Sequence, residues 1–134
     1  MTNTLLQNLP PVPIQLENDE ESNNWCTEVS IPNYSAIQDS YVVFHILVTT
    51  RRGKLELFKR YSEFVKFRQS LLTEAPFKAK AIPKLPPKIM AKIPSKSQLE
   101  KRRRGLETFL NFVLLDSDLM GSSIKEFIGA KNER

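Results

Sequence analysis

The sequence predicts an α+β domain, a three-stranded antiparallel sheet packed against a helical subdomain. Three observations predict it. Large and β-branched residues recur with a period of two over three successive segments between Trp25 and Tyr61. After Tyr61 the apolar spacing changes to 3.6. Residues 75–95 then hold Pro76, Pro83, Pro86, Pro87 and Pro94, placing a proline-rich loop between the two longest helical patterns.

The first strand runs from Trp25 to Ile31, with Trp25, Thr27, Val29 and Ile31 on one side, and is expected to end at Pro32. Tyr41 to Thr49 is almost wholly apolar and β-branched, the pattern of a central strand buried on both faces. Thr50-Arg51-Arg52-Gly53 reads as a hairpin turn in which Gly53 supplies positive φ. Lys54 to Tyr61 alternates again and completes an antiparallel meander. Ser62 is the expected N-cap of a helix to about Glu74, with Phe64, Phe67, Leu71 and Leu72 on its apolar side. The prolines that follow favour extended polyproline backbone. Ser97-Gln-Leu-Glu100 fits a capping box opening a second long helix to about Leu115. Its stripe is Leu99, Leu106, Phe109, Leu110, Val113 and Leu114, and residues 118–129 make a short closing helix. Residues 1–23 combine Pro10, Pro11 and Pro13 with an acidic, polar run and have no period that buries a face. They are expected to be a flexible tail ahead of a single domain over 24–134.

Composition removes several function classes. One cysteine (Cys26) permits no internal disulfide and favours a reducing compartment, and with one histidine (His45) leaves too few soft ligands for a structural zinc site. No stretch approaches ~18 consecutive apolar residues, and the start lacks the basic n-region of a signal peptide. The four glycines form no phosphate-cradling loop. Cys26 has no basic neighbour to activate it, His45 lies within an apolar strand, and Asp116 and Asp118 flank a helix junction, where they read as caps. The chain is therefore expected to be neither an enzyme nor a cofactor protein.

Charge is more informative. Residues 1–50 hold six acids and no Lys or Arg, whereas residues 51–104 hold 17 basic residues against four acids, a local charge of +13. Such a block predicts an anionic partner, a phosphorylated membrane surface or a nucleic acid. Arg60-Tyr61 marks the strand-to-helix transition, where an Arg fork suits phosphate oxygens and a Tyr face suits an ordered ring. The same pair also suits a surface cation–π contact. On the second long helix, Lys101 and Arg104 fall opposite the apolar stripe, while Arg102 and Arg103 fall beside it on either edge. An inward guanidinium needs an acceptor, either a ligand anion or a carboxylate such as Glu63. Between these sites Ile89, Met90 and Ile93 interleave with Lys88 and Lys92, as in a loop that inserts apolar tips among anionic headgroups. Core packing is the alternative for its apolar members.

Phe58-Lys-Arg-Tyr-Ser-Glu-Phe64, Leu85-Pro-Pro-Lys88 and Glu100-Lys-Arg-Arg-Arg-Gly-Leu-Glu-Thr-Phe-Leu110, in that order, closely resemble a Phox-homology (PX) domain over about Trp25 to Ile128. The resemblance implies the PX fold and binding of phosphoinositides, most often phosphatidylinositol 3-phosphate. It implies a cytoplasmic protein held peripherally on endosomal or vacuolar membranes. It further implies that Arg60 holds the 3-phosphate, Tyr61 packs on the inositol ring, Lys88 meets the 1-phosphate and Arg102 bonds the 4- and 5-hydroxyls. Arg103 and Arg51 are surplus cations that would admit a further phosphate. The tail segment Leu9-Pro-Pro-Val-Pro-Ile14, with Pro11 and Pro13 as a Pro-x-Pro core, is similar to a motif by which a fungal PX adaptor recruits a bridge-like lipid-transfer protein. An ordinary proline-containing tail and an SH3-type ligand are its alternatives. Two other readings of the basic block remain: nucleic-acid binding through Lys101, Arg103 and Arg104, and a protein-interaction scaffold with a degenerate pocket. Against the first, Phe64 and Phe67 are needed in the core and few aromatics are left to stack bases, so no nucleic acid is expected.

Overall fold

A computed structural model describes residues 25–38, 40–89 and 94–129. The segment containing Pro11 and Pro13, and the loop residues Met90 and Ile93, lie outside them. Strands β1 (Cys26–Ile37), β2 (Tyr41–Thr50) and β3 (Gly53–Arg60) form one antiparallel sheet in the order β1-β2-β3. Helix α1 (Tyr61–Glu74) follows without a linker. A 3₁₀ turn (Pro76–Lys78) and the proline segment lead to α2 (Lys96–Leu115). A second 3₁₀ turn (Ser117–Leu119) precedes α3 (Ser122–Ile128).

Strand β1 does not stop at Pro32. The register slips between Ser30 and Asn33, where β1 spends one residue more than β2. Pro32, which has no N–H to donate, is accommodated in that bulge on an edge strand. Side chains of α2 clamp the bulge. The Ile31 N–H donates to Glu107 Oε2 at 2.8 Å, Arg103 Nη1 donates to the Ile31 carbonyl at 2.7 Å, and Asn111 Nδ2 donates to the Val29 carbonyl at 3.1 Å.

Strand β2 is central, but it is buried on one face only. Phe44, Ile46 and Val48 point into the core, while the residues between them are half-buried because helices cover a single side of the sheet. On the open face His45 stacks on Phe58 at 4.8 Å, and its Nε2 lies 3.2 Å from Glu56 Oε2. Gly53 has φ +135° at the β2–β3 turn, as the hairpin requires.

Both helix starts differ from the sequence expectation. Arg60, not Ser62, occupies the N-cap of α1, and its N–H donates to Glu63 Oε1 at 2.9 Å. The strand turns directly into the helix, so the cap position falls on the last residue of β3. For α2 the reciprocal box is Ser95 with Gln98, two residues before the expected one; the Ser95 side chain accepts from Gln98 N at 3.1 Å. Glu100 is thereby left to pair with Arg103.

The core forms where α1, α2 and α3 meet the inner face of the sheet. Phe64, Phe67 and Leu71 of α1 pack with Leu106, Phe109, Leu110 and Val113 of α2, and Phe127 of α3 stacks on Phe67 at 4.2 Å. Each fully buried side chain of this size contributes ~1.5–3 kcal/mol. Cys26 is a buried packing residue, and burial pushes its thiol up. The Glu74 carboxylate accepts from the N–H groups of Ser122 and Ser123 at 2.9 and 3.0 Å, anchoring the start of α3 to the end of α1.

Candidate functional site

Where the start of β2, the end of β3, the first turn of α1, the proline segment and the first turns of α2 converge, they leave a cleft of about 290 Å³. Arg60, Tyr61, Lys88 and Arg102 all line it, although the sequence distributes them over 43 positions. Tyr41, Ser62, Ile89 and Leu99 complete much of its wall, and none of the described residues that line it is acidic. Three cations facing one cavity, with no acid among the described lining residues, suit an anion. Tyr61 and Ser62 bring the first turn of α1 into the same wall.

Two hydrogen bonds hold the Pro86-Pro87 pair against the helices. Tyr61 Oη donates to the Pro86 carbonyl at 2.5 Å, and Arg102 Nη2 donates to the Pro87 carbonyl at 2.7 Å. Gly105, one turn after Arg102, permits this approach, since a Cβ there would lie 2.4 Å from Pro86 Cγ. Lys88 follows immediately and is carried to the cleft by the same restraint.

Of the two arginines that the helical spacing left at the edges of the stripe, Arg102 is the buried one. It is only 9% exposed, and its Nε is buried with no partner among the described residues. Glu63 does not serve it; that carboxylate takes the Arg60 N–H and lies 4.0 Å from Lys59 Nζ. Instead the guanidinium carbon lies 3.8 Å from the Tyr61 ring centroid. Burial lowers the Arg102 pKa from its ordinary value. A buried cation without a carboxylate is expensive for folding and available to a ligand.

Arg103 is oriented otherwise. Glu100 grips it at 3.0 and 2.6 Å, and Glu107 lies 3.8 Å away, so it braces β1 and is not a surplus donor for the cleft. Arg60 and Tyr61 do not pair with each other: Arg60 rests on Tyr41, with its guanidinium carbon 4.1 Å from the ring centroid, and Tyr61 carries Arg102. Ile89 is half-buried in the cleft wall. Among the described residues there is no group of three or more His, Cys, Asp or Glu that could hold a metal, and no helix long and apolar enough to cross a membrane. Sequence reasoning missed Tyr41, which it counted only as the first residue of a central strand buried on both faces. Its place at the first position of β2, two residues before the partner of Arg60, is the signal that would have found it.

The family profile of the PX domain matches residues 47–130, which include all four of these cleft residues. The chain belongs to the PX domain family. This PX domain is 35% identical over 129 residues to the endosomal/vacuolar adapter protein YPT35 of Debaryomyces hansenii, an alignment covering 84% of this chain and 81% of that one. It is 32% identical over 142 residues to the protein of the same name from Meyerozyma guilliermondii, covering 95% and 96%. Its fold is similar to the X-ray structure of a designed CISK-PX domain, with a TM-score of 0.68 at 27% identity, over 78% of this chain and all of that one.

Proposed function

We propose that this PX domain binds phosphatidylinositol 3-phosphate in endosomal or vacuolar membranes and so recruits the protein to them. The observation that carries the reading is the convergence of Arg60, Tyr61, Lys88 and Arg102 on one cleft with no acid among its described lining residues. A phosphomonoester carries about −1.5 to −2 charge and suits a forked guanidinium. In this reading Arg60 holds the 3-phosphate, Tyr61 bounds the inositol ring, Lys88 meets the 1-phosphate, and Arg102 donates to the ring hydroxyls. The pairing of Arg103 with Glu100 favours a headgroup without an extra phosphate on that side. Ile89, with Met90 and Ile93, adds apolar contact with the bilayer, since stable anchoring takes two cooperating signals.

Vesicle sedimentation tests this. Wild-type protein pellets with vesicles containing phosphatidylinositol 3-phosphate, and Arg60→Ala stays in the supernatant. Equal pelleting of both overturns the assignment. Asp at Ile89 and Met90 weakens vesicle binding and spares affinity for a soluble headgroup; equal loss in both assays makes the loop structural. An adaptor role is supported by the name that the fungal relatives carry, and in this reading Pro11 and Pro13 carry it. It predicts that replacing both prolines removes a protein partner, such as a bridge-like lipid-transfer protein, from membranes while lipid binding persists.

A further inference from the structure

Resting on the phosphate-cleft reading, we propose that Tyr41 belongs to the site as a positioning residue, holding the Arg60 guanidinium in the cleft wall without neutralising it. Arg60 pairs across the sheet with Val43. Tyr41 lies two residues earlier on the same face of β2, which makes it the diagonal neighbour of Arg60. The guanidinium carbon sits 4.1 Å from the Tyr41 ring centroid, and both side chains line the cleft.

Two cations outside the cleft supply the contrast. Arg103 is held by Glu100 and Glu107, and Lys78 by Asp116 and Asp118. A carboxylate fixes a cation by occupying its donors and cancelling its charge. An aromatic face attracts the same cation through its quadrupole and leaves the in-plane N–H edge open for an incoming oxyanion. Both guanidiniums of the cleft rest on rings: Arg60 on Tyr41, and Arg102 on Tyr61. Arg60 is exposed, and ordering a free arginine is among the larger side-chain entropy costs. The Tyr41 ring restricts that freedom before the ligand arrives.

The test titrates a soluble, short-chain phosphatidylinositol 3-phosphate into the full chain and its Tyr41→Phe, Tyr41→Leu and Arg60→Ala variants. The Arg60 Hε resonance of each ligand-free protein that retains Arg60 is recorded in parallel. Tyr41→Phe keeps wild-type affinity, because the ring face and not the hydroxyl does the holding. Tyr41→Leu binds about two- to fivefold more weakly at an unchanged melting temperature. The ring-current displacement of Arg60 Hε persists in the Phe variant and disappears in the Leu variant. Wild-type affinity in Tyr41→Leu, equal loss in the Phe and Leu variants, or no ring-current displacement in the wild-type protein overturns the proposal. If Arg60→Ala abolishes binding while Tyr41→Leu is silent, only the role of Tyr41 falls. If Arg60→Ala binds normally, the phosphate-cleft reading falls with it.

Discussion

Gly105→Ala probes the cleft without touching any residue assigned to the ligand. The added Cβ would lie 2.4 Å from Pro86 Cγ and 3.3 Å from Pro86 Cδ. Ordinary carbon contacts lie at about 3.5–4.0 Å, so helix and proline ring must separate by roughly 1–1.5 Å. The obstacle is a rigid ring, and the adjoining carbonyls of Pro86 and Pro87 accept from Tyr61 and Arg102 at 2.5 and 2.7 Å. Displacement by about 1 Å carries both contacts to the edge of hydrogen bonding and moves Lys88 with them. Overpacking costs about 1–3 kcal/mol. Alanine in place of glycine inside a helix returns about 0.5–1 kcal/mol. The net loss of at most about 2.5 kcal/mol leaves a fold of ordinary stability intact. Binding suffers more, since hydrogen bonds to charged groups are worth about 1.5–3 kcal/mol each and several donors are misplaced together. Calorimetric titration with a soluble headgroup should show affinity reduced about tenfold or more, with cooperative thermal unfolding retained. Unchanged affinity would refute the claim that the contact of α2 with Pro86 sets the position of Lys88 and Arg102.

Two further predictions separate folding from binding. Arg102→Met relieves a desolvated guanidinium with an orphan Nε and should melt no lower than wild type while headgroup affinity falls at least about tenfold; Arg103→Ala, which unclamps the bulge of β1, should lower the melting temperature and leave headgroup affinity within about twofold. Glu74 is held below its ordinary value of 4.5, chiefly by its hydrogen bond with the Ser123 side chain. A depressed carboxylate contributes stability that is full above that ordinary value and lost as pH falls through the folded one. Glu74→Gln should therefore show a smaller drop in melting temperature than wild type between pH 5 and 3, and parallel curves would refute the role of this carboxylate in anchoring α3.

Much of the fold was legible because burial imposes periodicity. The alternation of Val29 and Ile31, and the stripe from Leu99 to Leu114, each correspond to buried positions in the structure. Local chemistry was less reliable at boundaries. Pro32 signals a strand end only if its missing N–H has no bulge to occupy, and the bulge exists because Arg103 and Glu107 reach it from a helix more than 70 residues away. Ser95-x-x-Gln98 and Ser97-x-x-Glu100 are equally good capping boxes in one dimension. The outer one is used, and Glu100 serves Arg103.

By itself the sequence determined which side chains had to be buried, where the backbone changed period, and that a basic block needed an anion. Those properties follow from local spacing and from net charge, which need no coordinates. Only the tertiary structure decided which cations remain available. On the helical wheel Arg102 and Arg103 are near equivalents, yet one meets a tyrosine face and a carbonyl, and the other two carboxylates. The physical reason is that a cation's availability depends on what packs against it across the chain, and such contacts are set by the docking of α2 on the sheet and the proline segment.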